Sequence, residues 1–124
     1  LLGIRHPTKV KKIVAMAANL NPSEDALSPD LLALIKSMVD AAPASVRDTP
    51  QGRRGLKVTR MMLDEPHIDV KALEAITAPT LVLAGDHDVI RDEHTVEIYH
   101  HIPNTTLLDR LQALWREPAR RGPG

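Results

Sequence analysis

The chain has 124 residues with 16 basic and 16 acidic side chains, which is typical of one soluble globular domain. The balanced charge excludes a strong general attraction to nucleic acid or to an anionic membrane, and an aromatic content of 2% leaves few platforms for base stacking. There are no cysteines, which excludes disulfides and thiolate metal sites, and no apolar run approaches the ~20 residues needed to span a bilayer.

The chain begins with LLGIRHPTKV, which lacks the charged and apolar regions of a signal peptide and also lacks a starting Met. We therefore expect a cytoplasmic protein that contacts neither nucleic acid nor membrane. We also expect that a further N-terminal segment precedes this sequence.

The first predicted elements are a strand and a helix. The apolar block at residues 11–18 follows a His-Pro turn and ends at an Asn-Pro turn, which predicts a buried strand. Ser28 is then predicted to cap a helix that has Pro29 in its first position. The apolar positions of this helix fall at helical spacing, at Leu31, Leu34, Ile35, Met38 and Val39.

The middle of the chain predicts two further helices. Residues 44–55 have weak periodicity, and helical spacing returns over residues 56–63. Met61 and Met62 are expected in the core, with a pocket lining as the less favoured alternative. Asp69 is predicted to cap a short helix that turns apolar side chains inward, at Leu73 and Ile76.

The last predicted elements are a strand, a helix and a strand. Residues 80–84 are apolar on both faces, as in parallel sheets covered by helices. The helix is predicted to start at a cap on Asp92 and to end near His101, before a strand at residues 105–108. Its expected apolar contacts pair Val96 with Tyr99 and Ile98 with Ile102. Strands separated by helices predict an α/β fold with a parallel sheet.

Two aspartates and a histidine directly follow the second strand, in the stretch Gly85-Asp86-His87-Asp88. In open parallel sheets, ligands bind beyond the carboxyl ends of the strands. The glycine permits a sharp turn, and a carboxylate held by loop amides can orient an imidazole as the acid of a nucleophile–His–acid triad. The residues alone favour this interpretation no more than the alternative, in which Asp86 and Asp88 only end a strand and cap a loop.

A wider pattern around this stretch resembles the late part of the α/β-hydrolase fold. In that family a Pro-led apolar strand runs into G-x-x-D, and a helix then ends at an I-P-x-x turn before the last strand; residues 75–107 read AITAPTLVLAGDHDVIRDEHTVEIYHHIPNTTL. The segment HPTKVKKIVAMAANLNP resembles the part that shortly follows the nucleophile helix. The resemblance implies that Asp88 is the triad acid, that Asp86 is not catalytic, and that residues of about 28–63 form a lid over the substrate pocket.

Two elements of the family pattern are missing. The nucleophile elbow G-x-S-x-G is absent, and no histidine follows His101, where the family places its catalytic base. We therefore expect residues 1–108 to be the C-terminal part of an α/β-hydrolase domain, with a partial parallel sheet and an inserted helical lid that are incomplete as an isolated chain. Residues 109–124 are expected to be a divergent or disordered tail.

The resemblance also implies a function. The complete enzyme is expected to hydrolyse an ester, amide or related bond of a small-molecule substrate without a cofactor. The serine-type nucleophile and the catalytic His would lie outside this chain. The nucleophile is expected in a missing N-terminal segment or another subunit, the family order places the His after the acid, and the chain alone is expected to be inactive.

A metal site is a less favoured alternative. Imidazoles and carboxylates crowd between residues 87 and 94, at His87, Asp88, Asp92 and His94, and both types bind Zn²⁺ or Fe²⁺. No pair of histidines has the spacing of an HExxH helix, so a loop histidine beside a solvated helical turn is favoured.

The second functional alternative is a non-catalytic α/β binding module. It would bind through the face of its lid or through a short amphipathic helix near the C-terminus, which carries Leu111, Leu114 and Trp115.

Overall fold

The computed structural model describes residues 1–85 and 87–108. Three strands form one sheet: β1 (Ile13–Met16), β2 (Thr80–Leu83) and β3 (Thr105–Leu108). The helices are α1 (Leu2–Arg5), α2 (Pro29–Asp40), α3 (Ala44–Arg47), α4 (Pro50–Asp64) and α5 (Asp92–His101), with 3₁₀ turns at Pro7–Lys9 and Val70–Ala75. Within the described residues, no helix is long and apolar enough to cross a membrane.

The sheet is parallel throughout, as the sequence predicts, and β2 is its central strand. Val82 of β2 lies between Ala15 of β1 and Leu107 of β3. Because all three strands run in the same direction, their carboxyl ends, at Met16, Leu83 and Leu108, lie at one edge of the sheet. Any site at the carboxyl ends of the strands must lie at this edge.

One face of the sheet carries the main core. Val82 is only 2% exposed, and it belongs to a buried apolar cluster completed by Leu20, Leu73, Ile76, Ile98 and Ile102. This burial confirms the inward orientation predicted for Leu73 and Ile76, although their segment is a 3₁₀ turn where an α-helix was predicted. Burying such side chains stabilises the fold by about 1.5–3 kcal/mol each.

The other face of the sheet is open over β1. Val14 and Met16 are each 65% exposed, and the register places them beside Leu81 and Leu83 of β2. Val14 and Met16 form an open apolar strip on the sheet, beside the partly buried Leu81 and Leu83. An apolar sheet face of this kind is normally covered by another layer of secondary structure.

The segment between the first two strands contains a helical insertion, which we define as residues 28–64. The side chain of Ser28 accepts a hydrogen bond from the backbone N–H of Leu31, which confirms the predicted cap of α2. The next long helix, α4, begins at Pro50 and not at the predicted residue 56, because the side chain of Thr49 accepts from the N–H of Gly52 and caps the helix earlier.

Several predicted apolar faces are rotated in the structure. Leu34 and Met38 of α2 are more than half exposed, and Ile35 is the buried residue of that helix. Met61 and Met62 of α4 are also exposed, so their prediction as core residues is wrong. The reason is that the helical insertion packs mainly on itself and on its root near Leu27, and not on the sheet.

In α5, the buried side chains are His94, Thr95 and Ile98. Val96, which was predicted to make an apolar contact, is 39% exposed. Asp92 is the first helical residue, and the cap position is occupied by Arg91, whose side chain makes no capping hydrogen bond. The predicted cap at Asp92 is therefore wrong by one residue.

Two glycines in α4 provide a matched test of the helical insertion. A Cβ at Gly52 would lie 1.9 Å from the carbonyl oxygen of Val46, whereas a Cβ at Gly55 would meet nothing within 4 Å. We expect Gly55→Ala to stabilise the chain by about 1 kcal/mol through helix propensity, and Gly52→Ala to destabilise it by about 1–3 kcal/mol because α3 and α4 must separate. Urea denaturation of the two variants measures both changes, and equal effects of the same sign would contradict this packing.

Candidate functional site

Asp88 lies just beyond the carboxyl end of the central strand. The N–H of Ala84 still pairs with the carbonyl of Leu108, and the chain then turns through Gly85. The Oδ2 atom of Asp88 accepts a hydrogen bond from the N–H of Gly85 at 3.3 Å, and Oδ1 accepts from the N–H of Ile90 at 3.2 Å. The partly buried carboxylate is therefore held across its own loop by one amide at each oxygen.

The Asp88 loop, residues 84–91, is fixed to the root of the helical insertion. Leu27 and Ile90 form an antiparallel bridge. The N–H of Ser28 donates to the carbonyl of Val89 at 2.9 Å, and the N–H of Arg91 donates to the carbonyl of Ala26 at 2.8 Å. Since Ala26, Leu27 and Ile90 are buried, these bonds are shielded from water. The sequence pattern gave no signal for this pairing, because it joins segments about 60 residues apart.

A second feature of the same sheet edge is the backbone at Ala17, which directly follows β1. Its φ of 48° is in the left-handed region, which costs a non-glycine residue about 1–2 kcal/mol. Its N–H continues the sheet ladder by donating to the carbonyl of Leu83 at 3.2 Å. The chain therefore turns away from the sheet abruptly at this point and leaves room beside the Asp88 loop.

The structure does not assemble the alternative metal site. His87 is exposed, and Asp92 is an exposed residue of the first turn of α5. Over residues 1–85 and 87–108, no group of three or more histidine, aspartate or glutamate side chains has a geometry that could hold a metal ion. Asp86, which the resemblance assigns no catalytic role, lies outside the described residues.

His94 is 3% exposed, and its burial was missed at the sequence level. Its Nε2 atom accepts a hydrogen bond from the backbone N–H of Leu20 at 3.0 Å, and its Nδ1 atom lies 3.5 Å from an Oε2 atom of Glu97. An imidazole nitrogen that accepts must be unprotonated, so this contact assigns the proton of the neutral ring to Nδ1. The spacing of four residues from His94 to Ile98 and again to Ile102 was the available signal that the histidine shares their buried face.

Burial lowers the pKa of His94, because removal from water disfavours the charged imidazolium. The carboxylates of Glu97 and Asp25 oppose this effect in part. The lowered pKa and the hydrogen bond from Leu20 both favour a neutral ring. His94 therefore links α5 to the segment that follows β1, and its Nε2 is not free to act as a general base.

An apolar cleft of about 390 Å³ opens between the helical insertion and the Asp88 loop. Its volume is in the range of small-molecule pockets. Ala17, with its unusual backbone, lies at the side that faces the sheet. The large apolar residues that line it are Leu27, Leu31, Ile35, Met61, Met62, Val89 and Ile90.

The predicted C-terminal helix that carries Leu111, Leu114 and Trp115 lies outside the described residues. The same applies to the whole of the predicted tail at residues 109–124.

No protein-family model matches the sequence, and no curated protein matches it either. Solved structures do match the fold. MGS-M2, an α/β hydrolase enzyme from a Medee basin deep-sea metagenome library, superposes on 86% of this chain with a TM-score of 0.57 and 15% sequence identity. An α/β fold family hydrolase from Bacillus anthracis matches with a TM-score of 0.56 and 14% identity, and Rv0554 from Mycobacterium tuberculosis with 0.54 and 15%.

The match covers only part of each solved structure. The matched region includes 86% or 87% of this chain but only 50% to 52% of each of the three solved chains. The chain therefore spans about half the length of the proteins that it resembles. At this level of identity the likeness shows a common fold, and function has to be argued from the site.

Proposed function

We propose that this chain, which has the α/β-hydrolase fold, is the acid-bearing part of an enzyme that hydrolyses an ester, amide or related bond. The observation that carries the proposal is the position of Asp88. Its carboxylate lies beyond the carboxyl end of the central strand and is held by the amides of Gly85 and Ile90. A fixed carboxylate at this edge of a parallel sheet matches the role of a triad acid.

The chemistry assigned to Asp88 is orientation of a histidine. Each carboxylate oxygen accepts one loop amide and keeps a further lone pair, so the group can also accept the Nδ1–H of an imidazole. That bond fixes the tautomer in which Nε2 is free to take a proton from the nucleophile, and it stabilises the imidazolium that forms. The nucleophile then attacks the carbonyl of the substrate, and the imidazolium protonates the alcohol or amine that leaves. Water, deprotonated by the same histidine, then hydrolyses the covalent intermediate, which releases the acid and frees the nucleophile.

The histidine and the nucleophile are proposed to come from outside the described residues. The sequence has no G-x-S-x-G, and Nε2 of His94 already accepts the backbone N–H of Leu20 and cannot take a proton from a nucleophile in this arrangement. A preceding segment of a longer chain would supply the nucleophile and a following segment the histidine, or another subunit would supply them. The helical insertion would act as a lid, since it meets the Asp88 loop and borders the apolar cleft.

The first test of this proposal is the activity of the chain alone. We expect the purified 124-residue chain to hydrolyse p-nitrophenyl acetate no faster than the buffer background, because an acid without a nucleophile and base does not form an acyl-enzyme. Turnover above background that Asp88→Ala abolishes would mean that the nucleophile and base lie within this sequence.

The second test is the nucleotide sequence on both sides of the coding region, read in all frames. The proposal requires a strand followed by G-x-S-x-G upstream of Leu1, and a histidine after a strand either downstream or in another frame. If neither element is found nearby and no separate subunit restores turnover to the chain, the catalytic proposal is wrong.

The open strip on the sheet favours a second candidate function, a non-catalytic binding module. Val14 and Met16 are exposed beside Leu81 and Leu83, and such a strip can bind a partner without any chemistry at Asp88. The nucleotide sequence distinguishes the two proposals, because a binding module needs no upstream G-x-S-x-G.

A further inference from the structure

The apolar cleft has an unusual concentration of exposed apolar side chains. Met61 is 54% exposed, Met62 is 47% exposed and Val89 is 45% exposed, and all three line the same cleft. Single exposed apolar residues are ordinary on protein surfaces, but several around one concave site mark a binding surface. The cleft also adjoins the Asp88 loop, since Val89 and Ile90 directly follow Asp88 and line it.

The charges around the cleft select against anionic ligands. Among the described lining residues, the one ionisable group is the carboxylate of Glu65. Asp88 adds a second carboxylate beside the loop wall. The other polar lining residue is Asn19, whose Nδ2 already donates to the carbonyl of Asn21 at 2.9 Å. A negative group in the cleft would meet the carboxylate of Glu65, with that of Asp88 in the adjoining loop, and it would lose hydration to apolar walls.

Met61 and Met62 form the part of the cleft wall whose conformation can adjust to different ligands. They belong to the last turn of α4, where a core role would bury them and a purely solvated role would favour polar residues. A methionine side chain is unbranched and polarisable, so it adjusts to apolar groups of different shapes. Met61 and Met62 therefore determine how much space an apolar ligand has beside the Asp88 loop.

We infer that the apolar cleft binds the uncharged apolar part of a small-molecule substrate, such as the alkyl chain of an ester or alcohol, and that Met61 and Met62 set which apolar groups fit. The inference rests on the proposed function, because it assigns the cleft to the substrate of the site that contains Asp88. Binding itself needs no nucleophile or histidine, so it can be measured on this chain without turnover.

The experiment uses the four methionines as reporters. The chain is labelled with ¹³C at the methionine methyl groups and titrated with 1-hexanol, and each signal is assigned by substitution of one methionine. We expect saturable shifts of the Met61 and Met62 methyl groups and none at Met16 or Met38. Hexanoate, which has the same length and a carboxylate, is expected to bind at least about fivefold more weakly because its charge loses hydration in the cleft.

A matched set of variants tests the role of the methionines. Met61→Gln and Met62→Gln keep the length and helix propensity of the side chain, and each is expected to weaken hexanol binding at least about fivefold by placing an amide in the cleft. Met38→Gln is the control, because Met38 is 56% exposed on α2 and does not line this cleft. An equal loss of affinity in the control, or equal binding of hexanol and hexanoate, would overturn the inference.

Folding and self-association are controlled in the same experiment. Circular dichroism and dispersion of the methyl signals report folding of each variant. The titration is repeated in a Val14→Gln, Met16→Gln background, which makes the open sheet strip polar without changing the cleft. If no saturable shift occurs at Met61 or Met62 in either background, the cleft does not bind apolar groups. That outcome would not contradict the proposed role of Asp88, which is tested separately. Evidence against the role of Asp88 would likewise not change the measured binding.

Discussion

Replacement of Asp88 with Asn in the complete enzyme is expected to lower kcat by about 10⁴-fold, the effect of losing the acid that fixes the histidine tautomer. An amide presents one oxygen and one NH₂ group, so the variant can favour the wrong tautomer of the imidazole. Steady-state kinetics with an ester substrate measures the loss. KM is expected to change much less than kcat, because the acid acts on the histidine and not on the bound substrate.

Stability has to be separated from catalysis in this variant. Asn at position 88 keeps one acceptor for the loop amides of Gly85 and Ile90 and loses the other, which costs about 1 kcal/mol. Denaturation curves quantify this part. Asp92→Asn is the matched control, because Asp92 is an exposed carboxylate four residues away in the first turn of α5. If both variants keep full kcat, Asp88 is a loop-forming residue and not the triad acid.

Replacement of His94 with Leu is expected to destabilise the chain by about 2 kcal/mol at pH 7.5. Leucine has a similar volume, but it leaves the buried N–H of Leu20 without its acceptor at Nε2. His94→Gln places an amide oxygen in the same region and is expected to recover part of the loss. Urea denaturation of the two variants measures the difference, and equal destabilisation would show that shape, and not the hydrogen bond, explains the role of His94.

The stabilisation by His94 is expected to depend on pH. Burial lowers its folded-state pKa below the ordinary histidine value of 6.5, so between these two pKa values the unfolded chain binds more protons than the folded chain. The contribution is therefore complete above about pH 6.5 and is lost as the pH falls through the lowered folded-state pKa. Protonation also removes the acceptor that Leu20 needs.

The measurement compares the native chain with His94→Leu over pH 7.5 to 5. The difference in unfolding free energy between the two is expected to shrink on acidification, because only the native chain loses stability through this histidine. The other titrating groups are common to both proteins and cancel in the difference. A difference that stays constant or grows towards pH 5 would contradict the neutral, accepting state of His94.

The parallel sheet was predictable because its evidence is local. The strand at Thr80–Leu83 is apolar on both faces, and turn residues bound each of the three strands. The cap at Ser28 was equally local, since it depends on a hydroxyl three residues before the amide that it binds. Asp88 was placed correctly beyond the central strand because sequence order alone puts it there.

The predictions from sequence were wrong where tertiary packing, and not local sequence, determines whether a side chain is buried. The exposed positions of Met61 and Met62 follow from a helical insertion that packs on its own root, which no periodicity reveals. The buried position of His94 depends on a backbone amide 74 residues away. The ladder between Ala26 and Arg91 is likewise non-local. The sequence therefore placed Asp88 beyond the central strand but could not show how the fold holds its carboxylate.

Ser28 connects the helical insertion to the Asp88 loop, and this connection has a consequence for any motion of the insertion. Its side chain caps α2 through Leu31, and its own N–H is bonded to Val89, one residue after Asp88. A hinge motion at this residue would therefore also move the backbone that carries the Asp88 carboxylate. For the proposed role of Asp88, opening of the insertion would therefore also displace the carboxylate, so that closure of the insertion and alignment of the acid would be coupled.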